Sequence, residues 1–264
     1  MLIRKIRRSV SFISGFSSHQ LTEASTERFF LLNQKGQFVS YWQDVPFKND
    51  TKSLFVNAVI EIPQKTFGKL QVLKTEPFHP ITIDSRKIDG KPAPRFYQQP
   101  LLFNYGYIPQ TWENSVKPCS YFPSVVGDND PIDVVEISDR VISQRQPFEA
   151  VVLGSLPLID QGEMDWKVLI INRSDAERLK VFDLRSAMNH FKDKIKYIQN
   201  WFIICKELEG KALNTYTEPN KIFDEVETEK IIQDTHREYH ELIKKDEYAN
   251  FREKFHLKQS HSSH

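Results

Sequence analysis

The chain has 264 residues, 39% of them apolar, which suits one large core or two small ones and excludes a disordered tail. Thirty-six Lys+Arg offset 35 Asp+Glu, so no global positive excess marks a nucleic-acid binder, and any polyanion site must be built locally. Cys119 and Cys205 are too few for a disulfide framework or a four-thiolate zinc site and suit a reducing compartment; no apolar run approaches the roughly 18 residues of a membrane span.

Arg4, Lys5, Arg7 and Arg8 precede Ser9, Ser11, Ser14, Ser17 and Ser18, with no acidic residue before Glu23. That composition predicts a mitochondrial presequence over residues 1–22, or a disordered basic arm in its place. Residues 38–42, 54–62, 69–73, 134–137, 150–156 and 167–171 are short runs rich in β-branched and aromatic side chains, punctuated by Pro, Gly, Asn or Asp, and are expected as strands. Many short strands at irregular spacing predict a closed or nearly closed barrel. Helical spacing begins after Asp183, with Leu184, Met188, Phe191, Ile195, Ile198 and Phe202 on one stripe. Ile231, Thr235, Tyr239 and Leu242 form a second stripe, and Tyr248, Phe251 and Phe255 a third; these are core-facing helix sides. The chain therefore reads as α+β, with one domain over residues 23–258 and a polar tail at 259–264.

The chemistry is concentrated in Gly127-Asp128-Asn129-Asp130-Pro131-Ile132-Asp133. In an extended segment Asp128 and Asp130 point the same way, and Pro131 then redirects the chain before Asp133. Three converging acids repel one another unless a cation sits among them, and hard oxygen ligands indicate Mg²⁺ rather than zinc. An EF-hand does not fit, because Asp133 and Asp139 stand where that loop needs Gly and Glu. An acidic turn capping its own amides accounts for one of the Asp residues, not three.

A second cluster runs from Asp160 to Lys167 around a turn at Gly162. Asp165 and Lys167, two apart, share one strand face, and Trp166 and Val168 take the other. Lys69 with Gln71, and Tyr105 with Tyr107, repeat the alternation. Basic and phenolic groups facing one way on several strands would line a pocket for an anion.

The Gly127 to Asp133 run resembles the signature of soluble family I inorganic pyrophosphatases. Residues 39–46, Glu61-Ile62-Pro63, Asn104-Tyr105-Gly106, the 109–113 run ending in Trp112-Glu113, the 160–167 run and Trp201-Phe202 match the eukaryotic branch in order and spacing, over about residues 30 to 245. The resemblance implies an OB-like closed β-barrel flanked by α-helices, and hydrolysis of pyrophosphate to two phosphates with Mg²⁺. It implies Asp128, Asp133 and Asp165 as principal metal ligands, completed by Asp160 and Glu61. Asp130 would be the general base; Lys69 and Tyr105 would hold the attacked phosphoryl group, Arg95 and Lys206 the leaving phosphate, and Lys167 would sit beside the metals. Two metals about 3.5–4 Å apart can share and acidify one water, so no covalent phosphoenzyme is required.

Three positions depart from the family pattern: Gln71 replaces a Glu, Leu101 stands where a second pocket tyrosine falls, and Cys205 replaces a tyrosine before Lys206. They predict slower turnover or a higher Mg²⁺ requirement, or, as the alternative, a weakened homologue that binds phosphate compounds or a partner. A nucleic-acid module on the same barrel would need a basic groove, against the neutral composition. The expected partner is pyrophosphate, without a membrane span; a homodimer is compatible with the branch. The expected location is the mitochondrial matrix, with the cytoplasm as alternative.

Overall fold

The computed structural model describes residues 10–23, 26–50, 55–143, 145–207, 210–219 and 221–244. In chain order the strands are β1 (Phe16–Glu23), β2 (Thr26–Asn33), β3 (Phe38–Val39), β4 (Phe55–Ile62), β5 (Leu70–Val72), β6 (Ile81–Ile83), β7 (Ser85–Ile88), β8 (Lys91–Pro94), β9 (Asn104–Tyr107), β10 (Asp133–Glu136), β11 (Phe148–Asp160) and β12 (Glu163–Asn172). Helices α1 (Arg173–Leu179) and α2 (Leu184–Ile204) follow, then β13 (Thr215–Tyr216), β14 (Phe223–Asp224) and α3 (Glu225–Ile243).

Five strands close on themselves: β4 pairs β9, β9 pairs β10, β10 pairs β12, β12 pairs β11 and β11 returns to β4. Only the β10–β12 pairing in this ring is parallel. Closure removes the unpaired edges that an open sheet would expose. Period-two alternation sends Ala58 and Ile60, Val134, Ala150 and Val152, and Val168 and Ile170 into one buried cluster, the barrel interior. The opposite face contributes Val135, Leu169 and Ile171, which pack against Ala187, Ile195, Ile198 and Phe202 of α2. The result is an OB-like barrel flanked by helices.

The helices start where their caps dictate. The Asp183 carboxylate accepts from Ser186 N, Asp224 does the same for Glu227 N, and in each case the third residue returns a bond to the cap backbone. α3 then buries Ile231 and Ile232 against the barrel core. At the β4–β9 contact a glycine is mandatory: a Cβ on Gly106 would lie 1.9 Å from the Val59 carbonyl oxygen. A second sheet in the order β1-β2-β6-β5, with β3 on β2, covers part of the outer wall through Leu31, Tyr41, Trp42, Val59, Ile81 and Tyr107.

Residues 16–22, expected in the presequence or arm, lie in β1, which pairs β2 from Phe16↔Asn33 to Glu23↔Thr26; Val10 is buried and Phe12 bridges Phe148. The strand expected over 38–42 ends at Val39, because Ser40 and Asp44 capture the next turn: Asp44 accepts from Ser40 N at 2.7 Å, and Ser40 Oγ accepts from Trp42 N and Gln43 N. The basic run at residues 4–8, the third helical stripe and the 259–264 tail lie outside the described residues.

Candidate active site

The Asp-rich loop is shaped by the segment behind it. Gly127 N donates to Asn114 O at 2.8 Å, Asn129 N to Glu113 O at 3.0 Å, and Glu113 N to Asp130 O at 2.8 Å. A side chain at position 127 would meet the Glu113 carbonyl carbon at 2.5 Å, so only glycine permits this approach. Asn129 takes the left-handed conformation, φ 70°, that an Asn tolerates, and its Oδ1 accepts from Trp112 Nε1 at 2.9 Å. The Asp128 carboxylate folds back onto Asp130 N at 2.9 Å. Glu113 is thereby placed directly behind Asp128.

On the barrel wall, Asp133 of β10 is register partner to Lys167 of β12, so their side chains meet. Lys167 Nζ donates to Asp133 at 2.5 Å, to Asp165, and to the Tyr105 hydroxyl at 3.0 Å; Tyr105 in turn donates to Asp133. Glu61, at the end of β4, accepts from Val72 N at 2.5 Å, which ties the small sheet to the barrel. Across the cavity, Asp84 gathers Lys69 (3.0 Å), Arg95 (2.6 Å) and Gln71 (3.2 Å), and Lys206 pairs with Asp160 at 2.6 Å. All eleven site residues expected from the sequence (Glu61, Lys69, Arg95, Tyr105, Asp128, Asp130, Asp133, Asp160, Asp165, Lys167 and Lys206) line one cavity of about 320 Å³.

A family model for inorganic pyrophosphatase matches residues 58–240. The chain belongs to the inorganic pyrophosphatase family. It is similar to the inorganic pyrophosphatase of Bos taurus, at 34% identity over 238 residues, covering 88% of this chain and 81% of that one. It is also similar to soluble inorganic pyrophosphatase 6, chloroplastic, of Arabidopsis thaliana, at 34% identity over 84% of this chain and 72% of that one. Among solved structures, the type I inorganic pyrophosphatase from Toxoplasma gondii matches with a TM-score of 0.80 at 30% identity, covering 86% of this chain and 99% of that one.

The electrostatics of this pyrophosphatase-family cavity are unbalanced. Its lining carries seven carboxylates (the six acids above and Glu163) against Lys69, Arg95, Lys167, Lys206 and Lys211. Burial, reinforced by Asp165, Asp130 and Asp133, raises the Asp128 carboxyl well above the carboxylate range; burial raises Glu113 likewise, with Asp128 and Asp165 adding to it. Burial lifts Asp165 to about 7 even with Lys167 opposing, and burial plus Asp133 lifts Glu61. Burial alone would lower Lys167, but Asp133 and Asp165 outweigh it and hold the ammonium charged. Single carboxylate oxygens of Glu113, Asp128 and Asp165 lie within 4.8 Å of one another, and Glu113 Oε2 and Asp160 Oδ1 are buried without a hydrogen-bond partner among the described residues. Clustered hard oxygens with orphaned lone pairs fit a divalent cation of the Mg²⁺ type.

Sequence reasoning missed three contributors. Glu113 was visible only as part of a motif; its burial beside Asp128 is a tertiary fact. Asp84, the hub of Lys69, Arg95 and Gln71, follows β6 without a spacing signal. Lys74 donates to the Asn129 carbonyl and pairs with Asp130, fixing the Asp-rich loop from the small sheet. Of the departures, Gln71 and Cys205 line the cavity, whereas Leu101 is fully buried in the apolar cluster beside α2.

Proposed function

We propose that this protein hydrolyses inorganic pyrophosphate to two phosphates, with Mg²⁺ held by Asp128, Asp133 and Asp165 and the site completed by Asp160 and Glu61. The observation that carries the reading is the convergence of these acids with Lys69, Arg95, Lys167 and Lys206 on one cavity. An acidic cavity rejects a polyanion until divalent cations reverse its sign. Bound Mg²⁺ supplies a water of lowered pKa and screens the phosphoryl oxygens. The chain does the rest. Asp130, the most exposed of the loop acids, takes the proton of the attacking water; Lys69 and Tyr105 hold the phosphoryl group under attack; Arg95 and Lys206 hold the leaving phosphate. Lys167 keeps Asp133 and Asp165 side by side despite their repulsion.

Phosphate release from pyrophosphate in Mg²⁺, with Asp130→Asn as control, tests the reading. Turnover that disappears in the variant supports it; no turnover by the wild-type chain leaves the weakened, phosphate-binding homologue. For location, the basic, acid-poor run at residues 4–8 supports the mitochondrial matrix, with the cytoplasm as the alternative. Imaging a C-terminal fluorescent fusion of the full chain tests this, and a cytoplasmic signal would oppose it.

A further inference from the structure

The leaving-group end of the cavity contains a phenol to which neither sequence motif nor family pattern gave a role. Tyr97 follows Arg95 by two residues on an extended segment whose backbone is pinned on both sides: Arg95 N donates to Asp84 O at 2.8 Å and Tyr97 N to Phe67 O at 2.7 Å. Period-two alternation therefore turns Arg95 and Tyr97 toward the cavity, which both line, and sends Phe96 outward, 60% exposed. The Tyr97 ring is fixed edge-on against Trp201, with centroids 5.4 Å apart at 72°, and Trp201 is itself held edge-on by Phe103 at 5.3 Å. Its hydroxyl makes no hydrogen bond to a described residue. Nearby groups cannot replace it: Leu101 is apolar and buried, and the Cys205 thiol donates to the Phe202 carbonyl at 3.5 Å.

We propose that the Tyr97 hydroxyl donates a hydrogen bond to the phosphate held by Arg95 and Lys206, making Tyr97 a leaving-group ligand of this enzyme. The inference rests on the pyrophosphatase reading for the identity of that phosphate. A rigid, preoriented donor costs little entropy to engage. Burial keeps the phenol protonated, so it donates throughout the neutral range. A hydrogen bond to a charged oxygen that strengthens as the leaving phosphate gains charge acts on turnover as well as binding.

Tyr97→Phe keeps the ring and its packing on Trp201 and removes only the hydroxyl. In the full chain with Mg²⁺, kcat/KM for pyrophosphate should fall about tenfold or more, and inhibition by product orthophosphate should weaken by a similar factor. Tyr97→Leu, which also removes the ring, separates the roles. A Phe variant already as impaired as the Leu variant supports the proposal. A Phe variant with wild-type kcat/KM and wild-type phosphate inhibition, whatever Leu does, overturns it. Calorimetric titration of methylenediphosphonate with Mg²⁺ reads the same contact without turnover: loss of affinity in Tyr97→Phe supports the proposal even if the wild-type chain releases no phosphate, a result that would sink the hydrolytic reading instead.

Discussion

The barrel carries two buried nests of acids, and only one is complete in itself. Beside Asn172, the N-cap of α1, Glu136 accepts from Asn104 Nδ2 (2.7 Å), Ser138 Oγ (3.0 Å) and Asn172 Nδ2 (2.9 Å). Beside it Asp175 takes two bonds from Arg140, at 2.9 Å each, and two from Arg178, at 3.1 and 2.7 Å. On the other side, Asp128, Asp165 and Glu113 face one another with Lys167 bonded to Asp165 and Asp133, and Glu113 Oε2 lacks a hydrogen-bond partner among the described residues. The first nest is a structural network whose lone pairs are filled by the chain. The second leaves charge uncompensated, and that deficit is what a divalent cation can supply.

The contrast can be broken at several points. The largest effect is on turnover: Asp130→Asn should lower kcat by about 10²–10⁴, while Asp175→Asn should leave kcat of the folded fraction unchanged. Next come losses of stability. Lys167→Met leaves Asp133 and Asp165 unpaired and Asp175→Asn leaves Arg140 under-bonded, each costing about 3–5 kcal/mol in urea unfolding. Mg²⁺ should restore most of the Lys167→Met loss and none of the other; equal rescue of both would erase the distinction.

The two nests should also respond oppositely to pH. Asp165 is raised in the fold, so its contribution is complete below the free carboxylate value near 4 and is lost as pH rises through about 7. Burial alone would raise Asp175, but bonds from Arg140, Asn172 and Arg178 outweigh it, so its contribution is present above pH ~4 and lost on acidification. Melting curves of the metal-free protein should therefore fall between about pH 5 and 8, a decline that Asp165→Asn flattens, and Asp175→Asn should flatten only the acid limb. The smallest effect is at Gln71, whose amide donates to Asp84 at 3.2 Å. Gln71→Glu adds charge near the metals and should lower the Mg²⁺ needed for half-maximal phosphate release by up to about fivefold; an unchanged requirement would remove Gln71 from the account.

The same contrast explains what was legible in the sequence. Strands β4, β10, β11 and β12 are rich in β-branched and other apolar residues, and Asp128, Asp130 and Asp133, and likewise Asp165 and Lys167, are close in sequence, so local periodicity places them. β1, β7 and β8 are polar and largely exposed, held by backbone pairing that leaves no apolar pattern. Arg95 and Lys206 were reachable only through resemblance, because their neighbours in space are distant in sequence. Glu113, Asp84, Lys74 and Tyr97 gain their roles from the meeting of the small sheet, the loop and α2, and no spacing rule encodes such a meeting.

The claim beneath all of this is a reversal of charge in one cavity. Calorimetric titration of methylenediphosphonate into the wild-type protein, once with Mg²⁺ and once after exhaustive chelation, measures it. Binding with the metal and none without is the predicted result; equal affinity in both would contradict the account.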